Sequence, residues 1–118
     1  MTFAVTGGKG VHFTFPNGYT VSMQWGPGNY GDNYNASFDT PTGDMRSNTV
    51  EVAYWYNHGG LLYMPDIDTL TVREDYPDTV VGYWNITQVM KFLNFVQQLE
   101  PGKHPMPSPE QEESNDAT

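Results

Sequence analysis

The chain has 118 residues, no cysteine, and five Lys and Arg against fourteen Asp and Glu, for a formal charge of −9. That length suits one domain with a single core. The missing cysteines exclude disulfides, thiolate metal sites and a cysteine nucleophile, while the acidity disfavours direct binding to nucleic acid or an anionic membrane.

In chain order, Thr2 to Thr6 is a first short strand, followed by a glycine-rich turn through Gly10. Val11, Phe13 and Phe15 then alternate with His12 and Thr14, and Tyr19, Val21, Met23 and Trp25 with Thr20, Ser22 and Gln24. Period two in both stretches marks half-buried strands. Pro16, Asn17 and Gly18 between them supply the fixed and positive φ values of a tight turn, so the pair reads as a hairpin.

Gly26 to Asn48 is a long irregular segment rich in Gly, Pro, Asn, Asp, Ser and Thr, and loops of that kind often carry function. A strand resumes over Thr49 to Tyr56, and Asn57 to Gly60 turns it into a partner over Leu61 to Met64. Thr69 to Arg73 and Thr79 to Tyr83 are further strand candidates. A helix follows from Ile86 to about Leu99, with Asn85 as N-cap, Gln88 at the capping-box position and Pro101 as its stop.

The apolar residues of that helix cover an arc of about 220°, wider than a sheet-packed helix needs. The surplus flank, at Phe92, Phe95 and Leu99, is either covered by this chain or serves as an interface with a second subunit or partner. These elements make an α+β fold: an antiparallel sheet of four to six strands with one C-terminal helix packed on one face. Residues 1 to 100 form the domain, and residues 101 to 118, rich in Pro and acid, are expected to be a disordered tail. MTFAVTGGKG shows no export signal and no apolar run reaches membrane-spanning length. The expected location is the cytoplasm.

Gly26, Gly28 and Gly31 match G-x-G-x-x-G, but no helical period follows to hold a pyrophosphate, so a dinucleotide fold is not expected. The segment still offers the inventory of a binding site. Gly28 lets main-chain amides approach a ligand, Asn29 and Asn33 pair donors with acceptors, Trp25, Tyr30 and Tyr34 present stacking faces, and Arg46 offers an anion contact. That set suits a nucleobase or sugar. The competing structural reading is that the rings cover the sheet edge and the asparagines cap turns.

Other chemistry is weakly signalled. Asp32 with Asn33 and Asn35, or Asp66 with Asp68, lack the calcium-loop pattern, and His12, His58 and His104 lie too far apart in sequence for a zinc site. No metal and no cofactor is expected. No serine sits in a nucleophile motif, and of the acids only Glu51, near Trp55, lies on a strand face where a sugar subsite could form. Arg73 reads as an ion-pairing residue with a neighbour such as Glu74. A small hydrolase or lyase using His12, Glu51 and His58 is the enzymatic alternative; a non-enzymatic protein is the primary reading.

FPNGYTVSMQWGPGNY (Phe15 to Tyr30), TVEVA (Thr49 to Ala53), and a Val-x-Gly-Tyr strand before a short helix resemble small uncharacterised proteins of tailed bacteriophages, especially phages of actinobacteria. The resemblance covers about two-thirds of the chain and transfers no catalytic residues. It implies a cytoplasmic protein of the infected bacterium that counters host immunity. The expected mode is sequestration of a nucleotide-like signalling molecule by a homo-oligomer; the alternative is blocking a host defence protein through apolar docking or acidic mimicry.

Overall fold

The computed structural model describes residues 1–7, 9–35, 46–75 and 77–107. Five strands, β1 (Thr2–Val5), β2 (Gly10–Thr14), β3 (Tyr19–Gln24), β4 (Val50–Tyr56) and β5 (Val81–Trp84), precede one helix, α1 (Ile86–Gln97). All neighbouring strands are antiparallel and stand in chain order, β1-β2-β3-β4-β5. The α+β class and the strand count agree with the sequence reading.

The alternation seen in the sequence becomes cross-strand rows. Phe13, Val21 and Tyr54 stand opposite one another, as do Val11, Met23 and Val52. These residues belong to the cluster that also holds Phe15, Tyr19, Trp84 and the helical Val89, Phe92 and Val96. The intervening positions form a second set of rows, Thr2–Thr14–Thr20–Trp55 and Ala4–His12–Ser22–Ala53. Small polar side chains dominate there because they point away from the cluster.

The capping box forms as read: the Gln88 N–H donates to Asn85 Oδ1 and the Asn85 N–H to Gln88 Oε1, both at 2.9 Å. The helix stops two residues before Leu99. Phe92 is fully buried, its ring 5.1 Å from that of Tyr54 and 5.4 Å from that of Trp84. It is therefore a core residue and no part of an open flank; Phe95 and Leu99 are half-buried against the same cluster. The exposed flank is the opposite one, at Ile86 (63 % exposed) and Met90 (59 %).

Two expected strands are absent among the described residues. Leu61 makes one isolated bridge, to Trp55, and Pro65 soon follows; Val72 makes one, to Pro107. Around Thr69 the chain turns instead. The Asp66 carboxylate accepts from the Asp68 and Thr69 N–H groups, and Leu70 takes a φ of +58°, which no strand accommodates. The Asn57 to Gly60 turn is exposed throughout. No described helix is long and apolar enough to cross a membrane.

A disordered tail from Pro101 starts too early. The Tyr19 hydroxyl and His104 Nδ1 are hydrogen-bonded at 2.9 Å, with the two rings edge to face, and Pro107 bridges Val72. The partners of this arm, Tyr19 and Val72, lie far away in sequence, which is why its own composition did not reveal its packing. Residues 108–118 lie outside the described residues.

Candidate functional site

At the end of β3 the chain leaves the sheet through Trp25 and enters a series of turns. The Trp25 N–H donates to Lys9 O at 2.9 Å, and Gly28, with φ +82°, donates its N–H to Tyr34 O at 3.0 Å. That left-handed φ makes glycine the suitable residue at position 28. Turns, in place of a helix, continue to Asn35.

Asn33 is the staple of this loop. Its Nδ2 donates to Trp25 O and Arg46 O, each at 2.8 Å, tying the two ends of the segment together. Asp32 reinforces the closure: its Oδ1 accepts from the Thr49 hydroxyl at 2.6 Å and its Oδ2 from the Asn48 N–H at 3.1 Å. Both side chains do the structural work of turn capping, each Asp32 oxygen accepting one hydrogen bond from the Asn48–Thr49 stretch.

Beside the staple lies a cleft of about 720 Å³. Met23, Trp25, Val50 and Ile86 supply its apolar lining, and Asp32, Asn33, Arg46, Ser47 and Asn48 its polar lining. The indole Nε1 of Trp25 is buried and has no hydrogen-bond partner among the described residues. An orphaned donor of this kind costs about 1–3 kcal/mol unless something accepts from it.

Of the residues expected to form a binding site, Trp25, Asn33 and Arg46 therefore meet in one cleft. Tyr30 and Tyr34 do not line it. Their rings stack on each other, 5.5 Å apart and within 5° of parallel, on exposed surface. Tyr30 is also held through its backbone: its N–H donates to Glu51 Oε2 at 3.1 Å and its carbonyl accepts from the Tyr83 N–H at 2.8 Å. Gly82 lets this happen, since a Cβ there would stand 2.4 Å from Tyr30 Cβ. The Asn29 N–H closes a turn onto Gly26 O. Gly28 and Asn29 thus shape the loop without facing the cleft. Residues 36–45 of the same loop lie outside the described residues.

Met23, Val50 and Ile86 line the cleft although their sequence patterns signal only core strand and helix. Ile86 is the informative case, because an isoleucine at the first helical position, directly after the cap, reads as amphipathic surplus.

The other candidates are dispersed. His12 packs edge to face with Trp55, their ring centroids 5.1 Å apart, and both line a shallow trough of about 420 Å³ with His58 and Thr20. Glu51 lies outside that trough and is bonded to Tyr30. Arg73 pairs with Asp75 at 3.2 Å, and not with Glu74, on open surface; the hydrogen bond and charge of Asp75 raise the guanidinium pKa further. Among the described residues no three His, Asp or Glu side chains gather in a metal-binding group.

Compared with known proteins, the chain matches no family model, and no curated protein and no solved structure is significantly similar to it. The cleft has to be read from its own chemistry.

Proposed function

We propose that this protein is a non-catalytic binding module whose cleft captures a nucleotide-like molecule. The reading rests above all on Trp25, which lines a cleft of about 720 Å³ and whose indole N–H is buried with no hydrogen-bond partner among the described residues. Pockets of that size that are mainly apolar with a few convergent polar groups are the usual form of small-molecule sites. A planar base would rest on the apolar lining at Val50 and Ile86 beside Trp25, with Ser47 and Asn48 offering hydrogen bonds. A phosphate would lie toward Arg46, the one cationic side chain of the lining among the described residues.

The phage resemblance supplies the setting: a protein that withdraws a signalling nucleotide from a host defence system as a homo-oligomer in the bacterial cytoplasm. Binding without turnover would suffice for that role. Titration calorimetry with a panel of linear and cyclic nucleotides tests the reading. A hit should be weakened at least tenfold by Trp25→Ala and by Arg46→Gln, and unchanged nucleotide should be recovered from the complex. Failure of the whole panel to bind at millimolar concentration would overturn it.

A second reading, obstruction of a host protein, is favoured by the exposed Ile86 and Met90, one helical turn apart. Ile86→Lys would abolish capture of such a partner while the helix signal in circular dichroism stays intact.

A further inference from the structure

Strand β1 is an open sheet edge with an unusual surface. All four of its residues are exposed, including Phe3 (69 %) and Val5 (68 %), and Met1 to Thr6 contain no charged side chain. Edge strands of soluble proteins are ordinarily shielded by charge, proline, bulges or a covering element. Apart from its four-residue length, β1 shows none of these devices among the described residues.

The hydrogen-bond phase of the hairpin fixes which main-chain groups of β1 point outward. Thr6 pairs with Gly10 in a hydrogen-bonded position, its N–H donating to Gly10 O at 2.9 Å. In an antiparallel ladder such positions alternate, so Thr2 and Ala4, opposite Thr14 and His12, also bond inward. Phe3 and Val5 therefore direct their N–H and C=O groups away from the sheet.

We propose that β1 pairs antiparallel with β1 of a second copy about a two-fold axis through Ala4, joining two five-stranded sheets into one of ten strands. The register follows from the geometry. Opposed residues must lie on the same face, and the outward groups of Phe3 and Val5 must meet partners. With Ala4 opposite Ala4 of the second copy, Phe3 of each copy faces Val5 of the other, and both become hydrogen-bonded pairs. The two exposed apolar side chains then form aromatic and β-branched cross-strand pairs, a favoured combination.

Charge also selects this edge. In a chain of formal charge −9, two copies approach with least repulsion where neither carries an ionised side chain. A short strand-to-strand contact buries little area, so the dimer belongs among the weaker specific interfaces.

Ala4 provides the test, because the chain contains no cysteine. In the ladder between the two copies Ala4 is a non-hydrogen-bonded position, where opposed Cα atoms stand about 4.5 Å apart, within disulfide range. Under mild oxidation Ala4→Cys should be trapped as a covalent dimer, whereas Thr2→Cys, opposite Thr6 of the other copy and about 13 Å from its own counterpart, should not. In sedimentation equilibrium the wild type should move with concentration toward twice its 13.3 kDa chain mass. Val5→Pro removes an outward donor while leaving the inward bonds of β1 in place, so it should be monomeric with an unchanged circular dichroism spectrum. A wild type that stays monomeric to about 1 mM, or equal trapping of the two cysteine variants, would overturn the proposal.

Discussion

Asn17, in the turn of the central hairpin, caps the far end of the helix: its Nδ2 donates to Val96 O at 2.8 Å and to Leu99 O at 3.0 Å. The last carbonyls of a helix have no internal partner. No basic residue occupies the last turn of α1, so this amide answers them and couples the hairpin to the helix.

Asn17→Ala should lower stability by about 1 kcal/mol, measured from the urea midpoint. Hydrogen exchange should accelerate over the last turn of α1 and not over its first, where Asn85 holds the cap.

Tyr54 gives the opposite sign. Its hydroxyl is buried with no partner among the described residues, and burial followed by the nearby Tyr19 raises its pKa. Tyr54→Phe removes an unpaired polar atom while retaining the ring contacts with Tyr19 and Phe92. We expect stability unchanged or raised by up to about 1 kcal/mol; a fall of the thermal midpoint would show that a hidden partner exists.

His104 makes stability depend on pH. Burial lowers its pKa below the ordinary 6.5, so the unfolded chain takes up the proton more readily than the folded one. The contribution is complete above pH 6.5 and is lost as pH falls through that value toward the lower folded-state pKa. The stability difference between wild type and His104→Phe should therefore shrink from about pH 8 to about pH 5. Using the difference cancels the carboxylates common to both proteins.

Gly82→Ala sets a methyl group 2.4 Å from Tyr30 Cβ. Either β5 or the Tyr30 loop must move, at a cost of about 1–3 kcal/mol. In the nuclear magnetic resonance spectrum the Tyr83 and Tyr30 amides should shift first, as their bonds to Tyr30 O and Glu51 are the ones strained.

Local signals were legible. Asn85 with Gln88, the alternation from Val11 to Trp25 and the Pro16 to Gly18 turn each depend on neighbours in sequence, and each forms as read. What failed depended on distant partners. The wheel of α1 gives the width of its apolar arc but not its rotation on the sheet, so it leaves open whether the flank at Phe92 is covered and does not single out Ile86 as exposed. Asn17 reads as a turn former because its helical acceptor lies 79 positions away. Trp25, Asn33 and Arg46, singled out by residue type, share the cleft, whereas Tyr30 and Tyr34 lie outside it, since nothing in the sequence shows that they stack on each other.

The Asn57 to Gly60 turn offers a practical handle. A Cβ at Gly60 would meet nothing within 4 Å, and the turn sits at the opposite end of β4 from Val50 and the cleft. A fluorophore grafted at Gly60 would report ligand capture by energy transfer while leaving the cleft unencumbered.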